Sequence, residues 1–185
     1  MTKLNLKDID DNEVLLVVTP TKVLQKINFE ILKHFINDKQ AVCVYSTFNK
    51  PNNTIITQLQ KNNIKTDKIF FIDCATPVSS SEEMHGSSKS IFLNPQSLTN
   101  LSIAITTALE NLPKKQPNIL ILDTIDTLML HNDRKIVIRF IHQLCGKIRK
   151  NKVKSIFYVT EEESDKKTIS EISNFCDTSL SINEI

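Results

Sequence analysis

The stretch Asn118-Ile119-Leu120-Ile121-Leu122-Asp123 decides the fold class of this chain. Its central residues are all apolar and do not alternate with polar residues, as they would in a strand with one face in water. The run Leu15-Leu16-Val17-Val18 has the same character. Strands of this kind have both faces covered, so the sequence predicts that these two strands form the middle of a parallel sheet.

Short β-branched runs alternate with longer segments of helical period along the rest of the chain. Strands are predicted at residues 13–18, 41–46, 68–73, 118–123, 153–159 and 177–182. A first helix is predicted from the apolar stripe Leu24, Ile27, Ile31 and Phe35, and further helices at about residues 51–61, 97–112 and 133–150. This alternation is typical of βαβ units, so the sequence predicts an α/β fold with a mainly parallel central sheet.

Length and composition fit one domain over residues 1–185, with a core at about 12–183 and a short charged N-terminal tail. The net charge of +2 is too small to indicate a nucleic-acid or membrane-surface protein. No run reaches the roughly 18 to 20 apolar residues that span a bilayer. The cysteines are widely spaced, which predicts free, mostly buried thiols in a cytoplasmic protein; they are Cys43, Cys74, Cys145 and Cys176.

Glycine is scarce in this chain. Only Gly86 and Gly146 occur, and neither lies where the first predicted strand turns into the first helix. Average usage would give about a dozen glycines, and a loop whose N–H groups wrap a phosphate needs several of them. The sequence therefore predicts the framework of a nucleotide-binding fold without the residues that bind the nucleotide.

Residues 74–94 form the longest segment without a periodic pattern, and they contain a Ser79-Ser80-Ser81 run, His85 and Gly86. Such a segment is a candidate for a mobile or binding loop. A plain surface excursion explains the same composition.

Five pieces of the chain resemble, in their order and spacing, the KaiC-like and Rad55-like branch of the RecA-superfamily ATPases. The pieces are Val17-Val18-Thr19-Pro20-Thr21, Val44-Tyr45-Ser46-Thr47, Phe71-Ile72-Asp73, Leu98-Thr99-Asn100-Leu101-Ser102-Ile103-Ala104-Ile105, and Ile119-Leu120-Ile121-Leu122-Asp123 before Thr124. The resemblance covers nearly the whole chain. It implies a three-layer αβα, RecA-like domain of the P-loop NTPase type, and a catalytically inactivated member of archaeal type.

The first departure from the family lies at the Walker A loop, which in the family is rich in glycine and ends in Lys and Ser or Thr. Thr19, Lys22 and Leu24 stand at the glycine positions. Gln25 stands at the lysine position and Lys26 at the hydroxyl position. A neutral amide cannot replace an ammonium group that faces a triphosphate. The P-loop is therefore predicted to be degenerate, with a vestigial phosphate site at Thr19, Pro20, Thr21, Lys22, Gln25 and Lys26.

The second departure lies at the end of the second strand, where KaiC-like ATPases carry adjacent glutamates that activate water. Phe48 and Asn49 stand at these positions, and neither side chain is a base near neutral pH. Asp123 remains at the position of the Walker B carboxylate, which in the family holds Mg²⁺. It either still attracts a cation or accepts hydrogen bonds from the turn that follows it. We expect no catalytic residue, no metal and no cofactor, with Mg-ATP as the alternative.

Two charged runs offer further candidate surfaces. The basic run at the end of the predicted helix 133–150 consists of Lys147, Arg149, Lys150, Lys152 and Lys154. These cations complement a helix C-terminus, or they contact nucleic acid phosphates without base stacking. The acidic run Glu161-Glu162-Glu163-Ser164-Asp165 lies at the carboxyl end of the sheet, where it would repel a triphosphate.

Other chemistries have weaker sequence support. The cysteines and His34, His85, His131 and His142 show no pair at metal-ligand spacing. No G-x-S-x-G elbow presents a nucleophilic serine.

The sequence predicts a non-catalytic pseudo-ATPase that works through protein contacts, either with a copy of itself or with another protein, in a regulatory or scaffolding role that the resemblance associates with signal transduction. One alternative is an atypical ATP-binding protein or ATPase that uses Lys22 or Lys26 with Asp123. The other is a Rad55-like, DNA-associated repair paralogue.

Overall fold

In a computed structural model of the chain, residue 9 and residues 13–77, 85–87 and 90–182 are described, with only the backbone described at 85–87. The strands are β1 (Val14–Thr19), β2 (Val42–Thr47), β3 (Ile69–Asp73), β4 (His85–Ser87), β5 (Ser90–Phe92), β6 (Asn118–Asp123), β7 (Lys154–Thr160) and β8 (Thr178–Ser181). The helices are α1 (Thr21–Leu32), which continues as a π-helix (Lys33–Asp38), α2 (Asn52–Lys61), α3 (Leu98–Glu110), α4 (Ile125–His131), α5 (Arg134–Asn151) and α6 (Lys166–Ser173).

All the described strands join one sheet in the order β4-β5-β3-β2-β6-β7-β1-β8. Every neighbouring pair is parallel except β4 and β5, which are antiparallel. The predicted position of β6 in the middle is confirmed. The same prediction for β1 is wrong, because β1 is next to the last strand. Its full burial arises from helices on both faces and from β8, which covers its outer edge.

Two apolar cores lie on the two faces of the sheet. One lies between the sheet and α1, the π-helix and α2, and it includes Leu15, Tyr45 and Ile121. The other lies beneath α3, α4, α5 and α6, and it includes Leu16, Leu120 and Ile141. The predicted three-layer αβα architecture with a mainly parallel sheet is confirmed.

The strands predicted outside residues 74–94 are confirmed to within two residues at their ends. Within that segment the prediction of a patternless loop is wrong in part, because it contains β4 and β5. Residues 78–84 and 88–89 lie outside the described residues. Helix α4 was not predicted either. These elements are too short to show a period in the sequence, with three residues in each strand and seven in the helix.

The predicted apolar stripe of α1 is confirmed, with Ile27, Ile31 and Phe35 buried and Leu24 half-buried. Asp133 caps α5, since its Oδ1 accepts from Lys135 N at 2.8 Å. None of the helices in the described part of the chain combines the length and the apolar character needed to cross a bilayer.

Candidate functional site

The turn between β1 and α1 consists of one residue, Pro20. Thr19 ends β1 fully buried, and its Oγ1 donates to Ile182 O at 2.8 Å. Pro20 has an extended backbone, with φ −60° and ψ 141°, and α1 starts at Thr21. No residue of this turn has the positive φ that wrapping an anion requires. A one-residue connection therefore leaves no loop to enclose a phosphate.

A carboxylate of the protein itself lies on the N-terminus of α1. Glu162 Oε2 accepts hydrogen bonds from Thr21 N at 3.0 Å and from Thr21 Oγ1 at 2.9 Å. The parallel register explains the approach, because Thr19 is opposite Thr160 and Glu161 N donates to Thr19 O at 3.2 Å. The N–H of Thr21 lowers the pKa of Glu162 below its usual value. The helix end that binds anions in other proteins is thus occupied by an acidic side chain.

The predicted phosphate-site positions on α1 face solvent or α2. Lys22 and Lys26 are exposed. Lys22 helps to keep Glu162 ionised through its charge. Gln25 Nε2 donates to Gln58 Oε1 on α2 at 2.7 Å, so this side chain bridges two helices.

Asp123, half-buried at the carboxyl end of β6, is held by a chain of hydrogen bonds that runs into the core. Tyr45 OH donates to Asp123 Oδ2 in a short hydrogen bond and accepts from Asn28 Nδ2 at 2.6 Å. Tyr45 is fully buried and Asn28 is nearly so. Tyr45 and Asp123 come from neighbouring strands, while Asn28 comes from α1 above them. One of the two carboxylate oxygens of Asp123 therefore already has a phenol as its partner.

Burial dominates the electrostatics of this chain of hydrogen bonds. Burial raises the pKa of Asp123, and the hydrogen bond from Tyr45 and the charge of Lys50 oppose that rise only in part. Burial and the adjacent Asp123 carboxylate raise the pKa of Tyr45 well above its ordinary value. At neutral pH Tyr45 is therefore a neutral phenol, which keeps its proton and donates a hydrogen bond to the carboxylate.

We expect the substitution Asp123→Asn to stabilise the protein at pH 7 by about 1 kcal/mol, because an amide oxygen still accepts from Tyr45 and the cost of burying a charge is removed. Since the folded pKa of Asp123 is raised, wild-type stability from this group is greatest below the unfolded value near 3.9 and falls as pH rises through the folded pKa. The stability that Asp123→Asn gains over the wild type should therefore increase as the pH rises from the unfolded value through the folded pKa of Asp123.

Urea denaturation of both proteins from pH 4 to pH 8 measures this difference. The variant Asp67→Asn removes an exposed carboxylate and serves as the control, with no expected change. A less stable Asp123→Asn at pH 7 would show that the ionised carboxylate is favoured, as it would be beside a cation.

The two adjacent positions of the family's water-activating glutamates differ in burial. Phe48 is buried in the core beneath α3, and its N–H donates to Asp123 O at 3.1 Å. Asn49 is exposed. Phe48 is therefore a packing residue of the apolar core.

A small cavity of about 200 Å³ lies between α1, α2 and the ends of β2 and β6. It is smaller than the roughly 300–1,000 Å³ of ordinary ligand sites. Of the predicted positions it brings together Thr21, Lys22, Gln25, Asn49 and Asp123, and it leaves out Thr19, Pro20, Lys26 and Phe48.

Two buried carboxylates, Asp126 and Asp73, support this edge of the sheet, and neither was predicted as a site residue. Asp126 accepts from Thr160 N and Thr160 Oγ1, each at 3.0 Å, and it joins α4 to β7. Burial raises the pKa of Asp126 against these hydrogen bonds. Asp73 accepts from Asn52 N at 2.8 Å and from the turn after β3. Asp73 ends the apolar strand β3 and Asp126 follows the apolar strand β6, and this position is the only local sign in the sequence that they belong to the site.

The predicted basic run is largely engaged within the protein. Lys147 Nζ donates to Ser102 Oγ at 2.8 Å and to Thr106 Oγ1 at 3.0 Å. Arg149 Nη2 lies 2.8 Å from Asp177 Oδ1, and Lys154 Nζ donates to Ile9 O at 2.8 Å. Lys150 and Lys152 are exposed.

The cysteines are free thiols, with Cys43, Cys74 and Cys145 buried and Cys176 half-buried, as predicted. Among the described residues, no group of three or more His, Cys, Asp or Glu side chains is placed to hold a metal ion.

The fold is that of known RecA-like proteins. A KaiC-like protein, PH0186 from the hyperthermophilic archaeon Pyrococcus horikoshii OT3, matches with a TM-score of 0.65 and 11% identity, over 92% of this chain and 71% of that chain. What the two proteins share is therefore the RecA-like fold. A comparison with proteins of curated function found no similar sequence. Residues 32–182 match a family of unknown function, DUF7504, and the chain belongs to that family.

Proposed function

We propose that this chain is a non-catalytic pseudo-ATPase with a RecA/KaiC-like fold, which acts through protein contacts as a regulatory or scaffolding module in signal transduction. One observation carries the proposal. The two places that would hold the phosphate and its Mg²⁺ are occupied by side chains of the protein, Glu162 at the start of α1 and Tyr45 against Asp123.

Electrostatics at the start of α1 support this proposal. A phosphate would have to displace Glu162 from Thr21 and would approach the exposed Glu161 and Glu163 beside it. Like charges in this position weaken the binding of a triphosphate. The short turn at Pro20 offers no further N–H groups in exchange.

The state of Asp123 supports the same conclusion. If Asp123 ligated Mg²⁺ through Oδ2, it would weaken or lose the hydrogen bond from Tyr45, and the buried Tyr45 hydroxyl would then lose its acceptor. Mg²⁺ also requires near-octahedral oxygen ligands. The hydroxyl that would supply one such ligand in the family is replaced by Lys26.

A phosphate-release assay tests the catalytic half of the proposal. With millimolar Mg-ATP, we expect the wild type and the variant Asp123→Ala to release phosphate at the same background rate. Turnover that is present in the wild type and lost in Asp123→Ala would support the atypical ATPase instead.

An apolar groove between α3 and α5 supports the protein-contact half. Ile103 and Ile136 are 58% and 53% exposed, which is high for large apolar side chains. They line a groove of about 350 Å³ together with Phe140 and Arg139. We propose this groove as the contact surface.

Co-purification from the native cell tests the surface. We expect the double variant Ile103→Asp and Ile136→Asp to lose proteins that the wild type retains, including tagged copies of the same chain. The matched control is Lys61→Asp, an exposed change on α2 at the opposite face of the sheet. Equal retention by wild type, double variant and control would refute the assignment of this groove.

A further inference from the structure

One face of α5 runs along the segment that leads into β8. The ring of His142 stacks on the ring of Phe175, with centroids 4.7 Å apart. Two turns further along α5, Arg149 Nη2 donates to Phe175 O and to Asp177 Oδ1, each at 2.8 Å. The helix is therefore fixed to this segment on both sides of position 176.

Cys145 lies on the same face of α5, between His142 and Arg149. Residues three and four apart share a helix face, so Cys145 lies opposite the segment that contains Cys176. The Cys145 and Cys176 side chains lie close enough to influence each other's ionisation. Cys176 Sγ also lies 3.5 Å from Ile172 O, which fixes its direction. Cys145 is fully buried and Cys176 is half-buried, so the pair has one open side.

We propose that Cys145 and Cys176 form an oxidation site, at which hydrogen peroxide converts the two thiols into a reversible intramolecular disulfide. This site is separate from the vestigial nucleotide site and does not depend on the function proposed above. The disulfide would tie α5 to the start of β8, the strand that covers the outer edge of β1.

The chemistry uses one molecule of peroxide. The Cys145 thiolate attacks one peroxide oxygen, the O–O bond breaks, and the leaving hydroxide takes a proton to become water. Cys145 is now a sulfenic acid. The sulfur of Cys176 then attacks the sulfur of Cys145, the S–O bond breaks, and hydroxide leaves with the thiol proton as a second water. Two thiols are oxidised, and the peroxide is reduced to two waters.

The surroundings favour Cys145 as the first nucleophile. The neighbouring Cys176 thiol and the charge of Arg149 lower the pKa of the Cys145 thiol in spite of its burial. Burial acts alone on Cys43 and raises its pKa well above the usual value, and it raises the pKa of Cys74 to about 12. Thiolates are the reactive species, so Cys43 and Cys74 are internal controls that should stay reduced.

Disulfide mapping tests the proposal on the full, wild-type chain. The reduced protein is treated with millimolar hydrogen peroxide, its remaining thiols are alkylated in denaturant, and its peptides are analysed by mass spectrometry. We expect a Cys145–Cys176 disulfide that a thiol reductant reverses, with Cys43 and Cys74 alkylated. Four alkylated cysteines, or a disulfide between other cysteines, would overturn the proposal.

Thermal unfolding gives a second readout. Oxidation should raise the unfolding midpoint by about 5–10 °C, because the disulfide closes a loop of roughly 30 residues in the unfolded chain. The variant Cys176→Ser changes the half-buried partner and should fold, and peroxide should then leave its midpoint unchanged. A rise in Cys176→Ser equal to that of the wild type would contradict the assignment.

Discussion

Replacing Tyr45 with phenylalanine is expected to lower the free energy of unfolding by about 2–3 kcal/mol, because both neighbours of the lost hydroxyl are then left without it in a buried site. Asp123 Oδ2 loses its donor and Asn28 Nδ2 loses its acceptor. The ring itself stays, so its packing against Phe71 at 5.7 Å between centroids is kept. Urea denaturation at pH 7 measures the change.

Tyr158 provides a matched control for this experiment. It is also a fully buried tyrosine of the central sheet, but its OH has no hydrogen-bond partner among the described residues. Tyr158→Phe should therefore leave stability unchanged or raise it by up to about 1 kcal/mol. Equal losses for both variants would mean that the hydrogen bonds of Tyr45 contribute nothing specific.

Replacing Asp73 with alanine should cost about 3–4 kcal/mol, the larger of the two effects, because this fully buried carboxylate satisfies donors from two elements. Its Oδ2 accepts from Asn52 N at 2.8 Å and from Thr76 Oγ1 at 2.7 Å. Its Oδ1 accepts from Ala75 N at 2.9 Å and Thr76 N at 2.8 Å. The substitution leaves the start of α2 and the turn after β3 without these acceptors.

The control for Asp73 is Asp133→Ala, which removes an exposed helix cap at the start of α5. A cap of this kind is worth about 1 kcal/mol. Equilibrium denaturation should therefore separate the two variants by about 2 kcal/mol or more. A loss for Asp73→Ala no larger than that for Asp133→Ala would show that water replaces the carboxylate.

Much of the fold could be predicted because its signals are local. The unbroken apolar run Ile119-Leu120-Ile121-Leu122 requires a strand covered on both faces, and β6 is that strand. The same signal misplaced β1, since it reports coverage and not position in the sheet. Short elements such as α4 and β5 were missed because they contain too few residues to show a period.

The site could be predicted only for residues whose role depends on their own position in the sequence. The roles expected of Gln25 and Asp123 could be predicted from their positions in the chain, since Gln25 lies shortly after β1 and Asp123 ends β6. The contacts of Glu162 with Thr21 and of Tyr45 with Asp123 join residues 141 and 78 positions apart. No local pattern distinguishes Glu162 from Glu161 or Glu163; the parallel pairing of β1 with β7 brings it to the start of α1.

Calorimetric titration of the protein with Mg-ATP and Mg-ADP tests the central claim most directly. We predict that neither nucleotide binds with a Kd below about 1 mM. A ligand that binds the native state raises the unfolding temperature by mass action, so we also predict no such rise at the highest nucleotide concentration. A micromolar Kd that is weakened in Lys22→Ala, Lys26→Ala or Asp123→Ala would contradict the claim that side chains of the protein occupy its nucleotide site.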